Sequence, residues 1–171
     1  MSTRILIAGV LGAIAMYVWL SAAHMSPLGH IGFKQIPNEA PAVAALEAAI
    51  GDNKGLYFFP WIEPGSEGAM ERYAEMLKTS PSGVLLYSPP GKPGMEPRQL
   101  IVEFVENLVA AVLAAWLVSL TTLTTFLGRA AFVAGIGFIA AITTNISYWN
   151  WWGFPASYTG AYFLMDFVGY V

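Results

Sequence analysis

The sequence predicts an α-helical integral membrane protein of three to four transmembrane helices carrying a small α+β extracytoplasmic insertion, and three observations lead there. Of 171 residues, 56% are hydrophobic and 11% charged, where a soluble domain has about 45–50% apolar and about 25% charged residues. The apolar residues gather in separated blocks of seventeen to nineteen, the length that a bilayer core requires. Between the first two blocks lies a stretch of ordinary globular composition with its own turn signals. The expected organisation is therefore an anchor helix at 1–23, an insertion at 24–96 and a membrane bundle at 97–171, with spans near 100–127, 130–147 and 155–171. Eight Lys and Arg against eleven Asp and Glu offer no polybasic patch, which sets nucleic acid aside as a partner. The absence of cysteine excludes disulfides, thiolate metal sites and thiol nucleophiles.

The first block, Ile5 to Ala23, has nineteen positions and no charge. It ends Ser21-Ala22-Ala23, which a signal peptidase can read, but its length exceeds the roughly 7–15 apolar residues of a cleaved signal. An uncleaved anchor is expected. Pro97, following Met95-Glu96, suits a first helical position because its missing N–H is unpaired there anyway. Leu108 to Phe126 then supplies nineteen uncharged residues for the second span. Gly128-Arg129 is a polar break before a third run, Ala130 to Ile146, and Pro155 to Val171 makes a fourth of seventeen residues. Arg4 and Arg129 fall on one side if spans alternate, so the positive-inside rule places both in the cytoplasm. The expected location is a bacterial inner membrane, with the amino terminus cytoplasmic and residues 24–96 periplasmic.

Within the insertion, Asn38 is positioned to cap a helix bearing Val43, Leu46, Ala49 and Ile50 on one stripe. Leu56-Tyr57-Phe58-Phe59 reads as a buried strand closed by Pro60. Ser66 is positioned to cap a second helix, with Ala69, Met70, Tyr73, Ala74 and Leu77 at helical spacing, and Val84 to Tyr87 is a second strand. A helix between two strands permits parallel pairing with a right-handed crossover. Two strands alone need a cover.

Several side chains invite a chemical reading. His24 and His30, with Met25, form a soft-ligand cluster suited to copper; their plainer role is as polar tips at the membrane exit. Glu103, Glu106 and Asn107 share one helix face and can line a cation or proton path, but if Leu108 to Phe126 is the span they sit in the outer headgroup layer. Asp166, an acid inside an apolar run, is expected to form a structural ion pair with Arg129. Tyr148, Trp149, Trp151 and Trp152 are expected as an interfacial aromatic belt; a quinone, pigment or lipid contact is the alternative. Small residues four apart, such as Ala8 and Gly12 or Gly137 and Ala141, allow close helix packing. Thr121, Thr122, Thr124 and Thr125 can bond their own helix backbone.

No phosphate loop, Gly-x-Ser-x-Gly or His-Glu-x-x-His is present, so no enzyme is expected, and no resident cofactor. Taken together, His30-Ile31-Gly32, Pro37-Asn38-Glu39, Gly55 to Pro60, Pro81-Ser82-Gly83, Tyr87-Ser88-Pro89, Gln99-Leu100 and the Tyr148-Trp149-Asn150-Trp151 to Pro155 segment resemble a group of small bacterial four-span inner-membrane proteins without an established activity. The resemblance covers most of the chain and implies four spans with an extracytoplasmic insertion between the first and second.

Three functions follow as expectations. The first is a non-catalytic accessory or stabilising subunit of a larger membrane assembly, photosynthetic or respiratory in character, with the bilayer and other membrane subunits as partners. The second is a small transporter or channel subunit using intramembrane acids. The third is periplasmic metal handling.

Overall fold

A computed structural model describes residues 2–171. Its order is α1 (Thr3–Met25), a 3₁₀ turn (Pro27–His30), α2 (Glu39–Ile50), β1 (Gly55–Phe59), α3 (Ala69–Thr79), β2 (Gly83–Tyr87), α4 (Pro97–Ser119), α5 (Phe126–Trp152) and α6 (Ala156–Tyr170). The chain divides into two compact units, one of residues up to 34 together with 95–171, the other of residues 35–94. Three helices, α1, α4 and α5, are long and apolar enough to cross a membrane; α6 has 15 residues.

In the helical unit α1 and α4 run antiparallel, with Tyr17 edge-on to Phe104 and, two turns away, Gly9 against Val112. A β-carbon on Gly9 would lie 2.8 Å from the Val112 Cα, so glycine lets the two backbones close. α6 packs back along α1: the Trp19 indole N–H donates to the Met165 carbonyl at 2.9 Å, and Met16, Leu20, Ala23 and Met165 form a buried cluster. α5 and α6 meet where Gly137 lies against the Tyr170 side chain and Phe138 packs edge-on to Phe163. Residues 24–34, expected within the insertion, belong to this unit; Phe33 packs edge-on to Tyr158.

The apolar run Leu108 to Phe126 is not one span. α4 begins at Pro97, its first turn held by the Glu96 N–H donating to the Gln99 Oε1 at 2.8 Å, and it ends at Ser119. Hydroxyls cause the break: Ser119 and Thr121 donate to the Trp116 and Val118 carbonyls at 2.6 and 2.7 Å, local bonds that compete with continued helix. Thr125 then caps α5 by accepting from the Gly128 N–H at 3.1 Å. The polar break is thus made by threonines, and Gly128-Arg129 lies inside α5. That helix runs on through the aromatic segment until Gly153, whose φ of 69° is the left-handed stop that glycine tolerates.

In the smaller unit the strands pair antiparallel, with Gly55 opposite Tyr87 and Phe59 opposite Gly83, which overturns the parallel expectation. The connection containing α3 permits either sense, and antiparallel ladders are slightly more stable per residue. Phe58 stacks on Tyr73 of α3, and the Tyr87 hydroxyl donates to the Gly51 carbonyl at the end of α2. Two caps differ from expectation. Asn38 makes no capping bond to α2. Ser66 lies three residues before α3, donating to the Glu63 carbonyl and accepting from Arg72, while Gly68 takes the cap position.

Candidate functional site: an acidic cavity in the helical unit

Because α4 starts at Pro97, Glu106 lies nine residues into a helix of 23. At about 1.5 Å per residue that is roughly 14 Å from its start, along a total of about 34 Å. Glu103 and Glu106 are therefore inside the same helix as the apolar residues that follow them, and not in a segment that precedes it. Asn107 follows them and is 3% exposed, its amide Nδ2 having no hydrogen-bond partner. Such an orphan is uncommon enough to require an explanation.

These three residues line a cavity of about 340 Å³ shared with His24 of α1 and with Asp166 and Tyr170 of α6. No Lys or Arg is among its described lining residues. The sequence paired Asp166 with Arg129, on the side read as cytoplasmic. The structure puts Asp166 among the other acids, because α6 packs on the later half of α1, where Tyr162 meets His24 edge-on at 5.6 Å.

Asp166 and Arg129 are not paired. The Asp166 carboxylate accepts from the Asn145 amide at 2.8 Å, and that same amide nitrogen donates to the Ala141 carbonyl at 3.0 Å. Arg129 instead donates through Nε to the Leu123 carbonyl at 2.9 Å. The reason is distance: Asn145 stands sixteen residues along α5 from Arg129, about 24 Å of helix. Arg129 belongs to the opposite end of the unit, where it and Arg4 line one cleft.

His24 is held by its Nδ1, 2.8 Å from the Leu20 carbonyl, a donor contact when that nitrogen carries the hydrogen. His30 closes the 3₁₀ turn and does not line the cavity. Among the described residues no group of three or more His, Asp or Glu is placed to hold a metal ion. Tyr148, Trp149, Trp151 and Trp152 crowd the end of α5 with their rings exposed, Tyr148 stacked on Phe154.

Asn145 and Tyr170 are the site residues that the sequence alone did not single out. Asn145 carried a usable signal, being the lone amide in the run Ala130 to Ile146; a buried amide in such a run needs a polar partner. Tyr170 carried none, since its place follows from how α6 packs.

Comparison with family models, with curated proteins and with solved structures found no match to this chain.

Proposed function

We propose that the protein is a small subunit of a bacterial inner membrane that handles an ion at the acidic cavity, as a transporter or channel component. The observation that carries this reading is the depth of Glu103 and Glu106 within α4, facing the same cavity as Asp166. Ionisable groups at such depth are costly and are typically kept where they serve an ion path or water-filled cavity. Arg4 and Arg129 gather at the other end of the unit, so the positive-inside rule makes that end cytoplasmic and directs residues 35–94 to the periplasmic face. The test is ion flux into vesicles of phosphatidylethanolamine and phosphatidylglycerol holding the purified full chain. Flux should appear with wild type and fall at least tenfold with Glu106→Gln; folded wild-type protein that carries no ion overturns the reading.

A second reading, the non-catalytic accessory subunit, is favoured by a different observation. The smaller unit leaves Leu56, Trp61, Met70 and Leu86 between 61% and 75% exposed, and a sheet of two strands is not stable without a cover. A stoichiometric partner retained through gentle detergent purification, in a chain that conducts nothing alone, would favour it.

A further inference from the structure

We infer that a groove in the smaller unit binds a quaternary ammonium group, an inference independent of the ion-handling reading because the groove is lined entirely by residues between 58 and 73. β1 ends at Phe59, the chain turns through residues 60–68, and α3 leads back from Ala69. The space between them is about 660 Å³, within the roughly 300–1,000 Å³ of small-molecule sites. Phe58, Trp61, Met70 and Tyr73 supply its apolar walls and Glu63 and Glu71 its charge, with no Lys, Arg or His among the described lining residues. Phe58 and Tyr73 stack with their ring centroids 5.9 Å apart. Trp61 is the one tryptophan outside the helical unit, and it is 61% exposed. The core of the unit therefore does not account for its presence.

The lining selects the ligand. An aromatic face attracts a cation through the ring quadrupole, most strongly at Trp, and quaternary ammonium groups are the cations such walls recognise. The carboxylates supply the complementary sign. Neither Glu63 nor Glu71 is in a salt bridge, the one ion pair among the described residues joining Lys78 to Glu75. Arg72, the cation of the first turn of α3, is engaged elsewhere: its guanidinium donates to the Ser66 hydroxyl at 2.7 Å and to the Glu67 carbonyl. Ser66 donates in turn to the Glu63 carbonyl at 2.8 Å, so these bonds hold the loop that forms one wall. A metal ion is a poor match, because no third His, Asp or Glu is placed with the two acids to hold one. A primary ammonium is a poor match too, since it brings three donors and a strongly held hydration shell, while the Ser66 hydroxyl is already committed to Glu63 and Arg72. A quaternary ammonium has no N–H to satisfy. Its methyl groups can rest on the rings while its charge faces the carboxylates.

The experiment titrates choline by calorimetry into the purified full chain in maltoside detergent, beside neohexyl alcohol, in which carbon replaces the charged nitrogen. Choline should bind saturably and the uncharged analogue about tenfold more weakly. Trp61→Ala should weaken choline about tenfold and Glu71→Gln several-fold; both positions are exposed, and Glu71→Gln serves if Trp61→Ala does not fold. Trp151→Phe, at the end of α5, should leave choline binding within about twofold of wild type. The same ammonium group also occurs on a lipid headgroup, so a second arm follows tryptophan fluorescence of the chain in phosphatidylethanolamine and phosphatidylglycerol vesicles, given either dissolved choline or added phosphatidylcholine. A response to choline that is lost in Trp61→Ala assigns the free solute, and such a response to phosphatidylcholine alone assigns the headgroup. Equal binding of choline and neohexyl alcohol overturns the cation and leaves an apolar groove. Choline binding unaltered by folded Trp61→Ala, or by Glu71→Gln, overturns the site. No response to either source overturns the inference, whatever the flux experiment gives.

Discussion

At Asn145 an amide does what a cation was expected to do. It donates to Asp166 from the neighbouring helix, and hydrogen bonds between helices in membranes contribute about 0.6 kcal/mol on average and up to about 1.7. Asn145→Ala should therefore destabilise the helical unit by about 0.6–1.7 kcal/mol in detergent unfolding, and most of that cost should vanish in an Asp166→Ala background. Tyr87 gives a prediction in pH. Burial first, and the carboxylates of Glu47 and Asp52 after it, hold its phenol above the ordinary value of 10. The folded unit thus prefers the protonated phenol, whose hydroxyl donates to Gly51 at 3.0 Å. Its contribution is complete below the unfolded value and is lost as pH rises through the higher folded one. Residues 35–94 should melt at lower temperature above pH 10, followed by circular dichroism, and Tyr87→Phe should flatten that alkaline decline. Gly9→Val places carbon into Val112 and should cost about 1–3 kcal/mol by overpacking.

Elements were legible where hydropathy and breakers agreed. α1 matched its apolar block because nothing charged interrupts Ile5 to Ala23, and α4 began at Pro97 as the dipeptide Glu96-Pro97 implied. The error lay where a hydropathy run hid a turn: Thr121 to Thr125 carry no charge, but their hydroxyls can take over backbone partners. Moving that boundary placed Glu103 and Glu106 within the first half of α4, where they line one cavity with Asp166. Strand pairing sense was illegible for another reason, since a connection of this kind admits both directions and only the packed chain chooses. Thr125→Ala removes the α5 cap and should lower stability by about 1 kcal/mol, with the change seen as fraying of residues near Gly128 in hydrogen exchange.

For the molecule as a whole, two units and three helices of spanning length make sidedness the property to measure. The chain has no cysteine, so single replacements report cleanly. Asp52→Cys should react with a membrane-impermeant maleimide in intact spheroplasts, and Thr122→Cys only in inverted vesicles; the reverse pattern would invert the assignment of faces. The close seam between α1 and α4 has an engineering outcome. Their neighbouring ends, Met25 and Pro97, emerge on one side, so the 35–94 cassette is strung between posts that already stand together. Loop closure costs little that depends on length, and a short Gly/Ser tether grafted in its place should leave the helices assembled, turning the smaller unit into an exchangeable part.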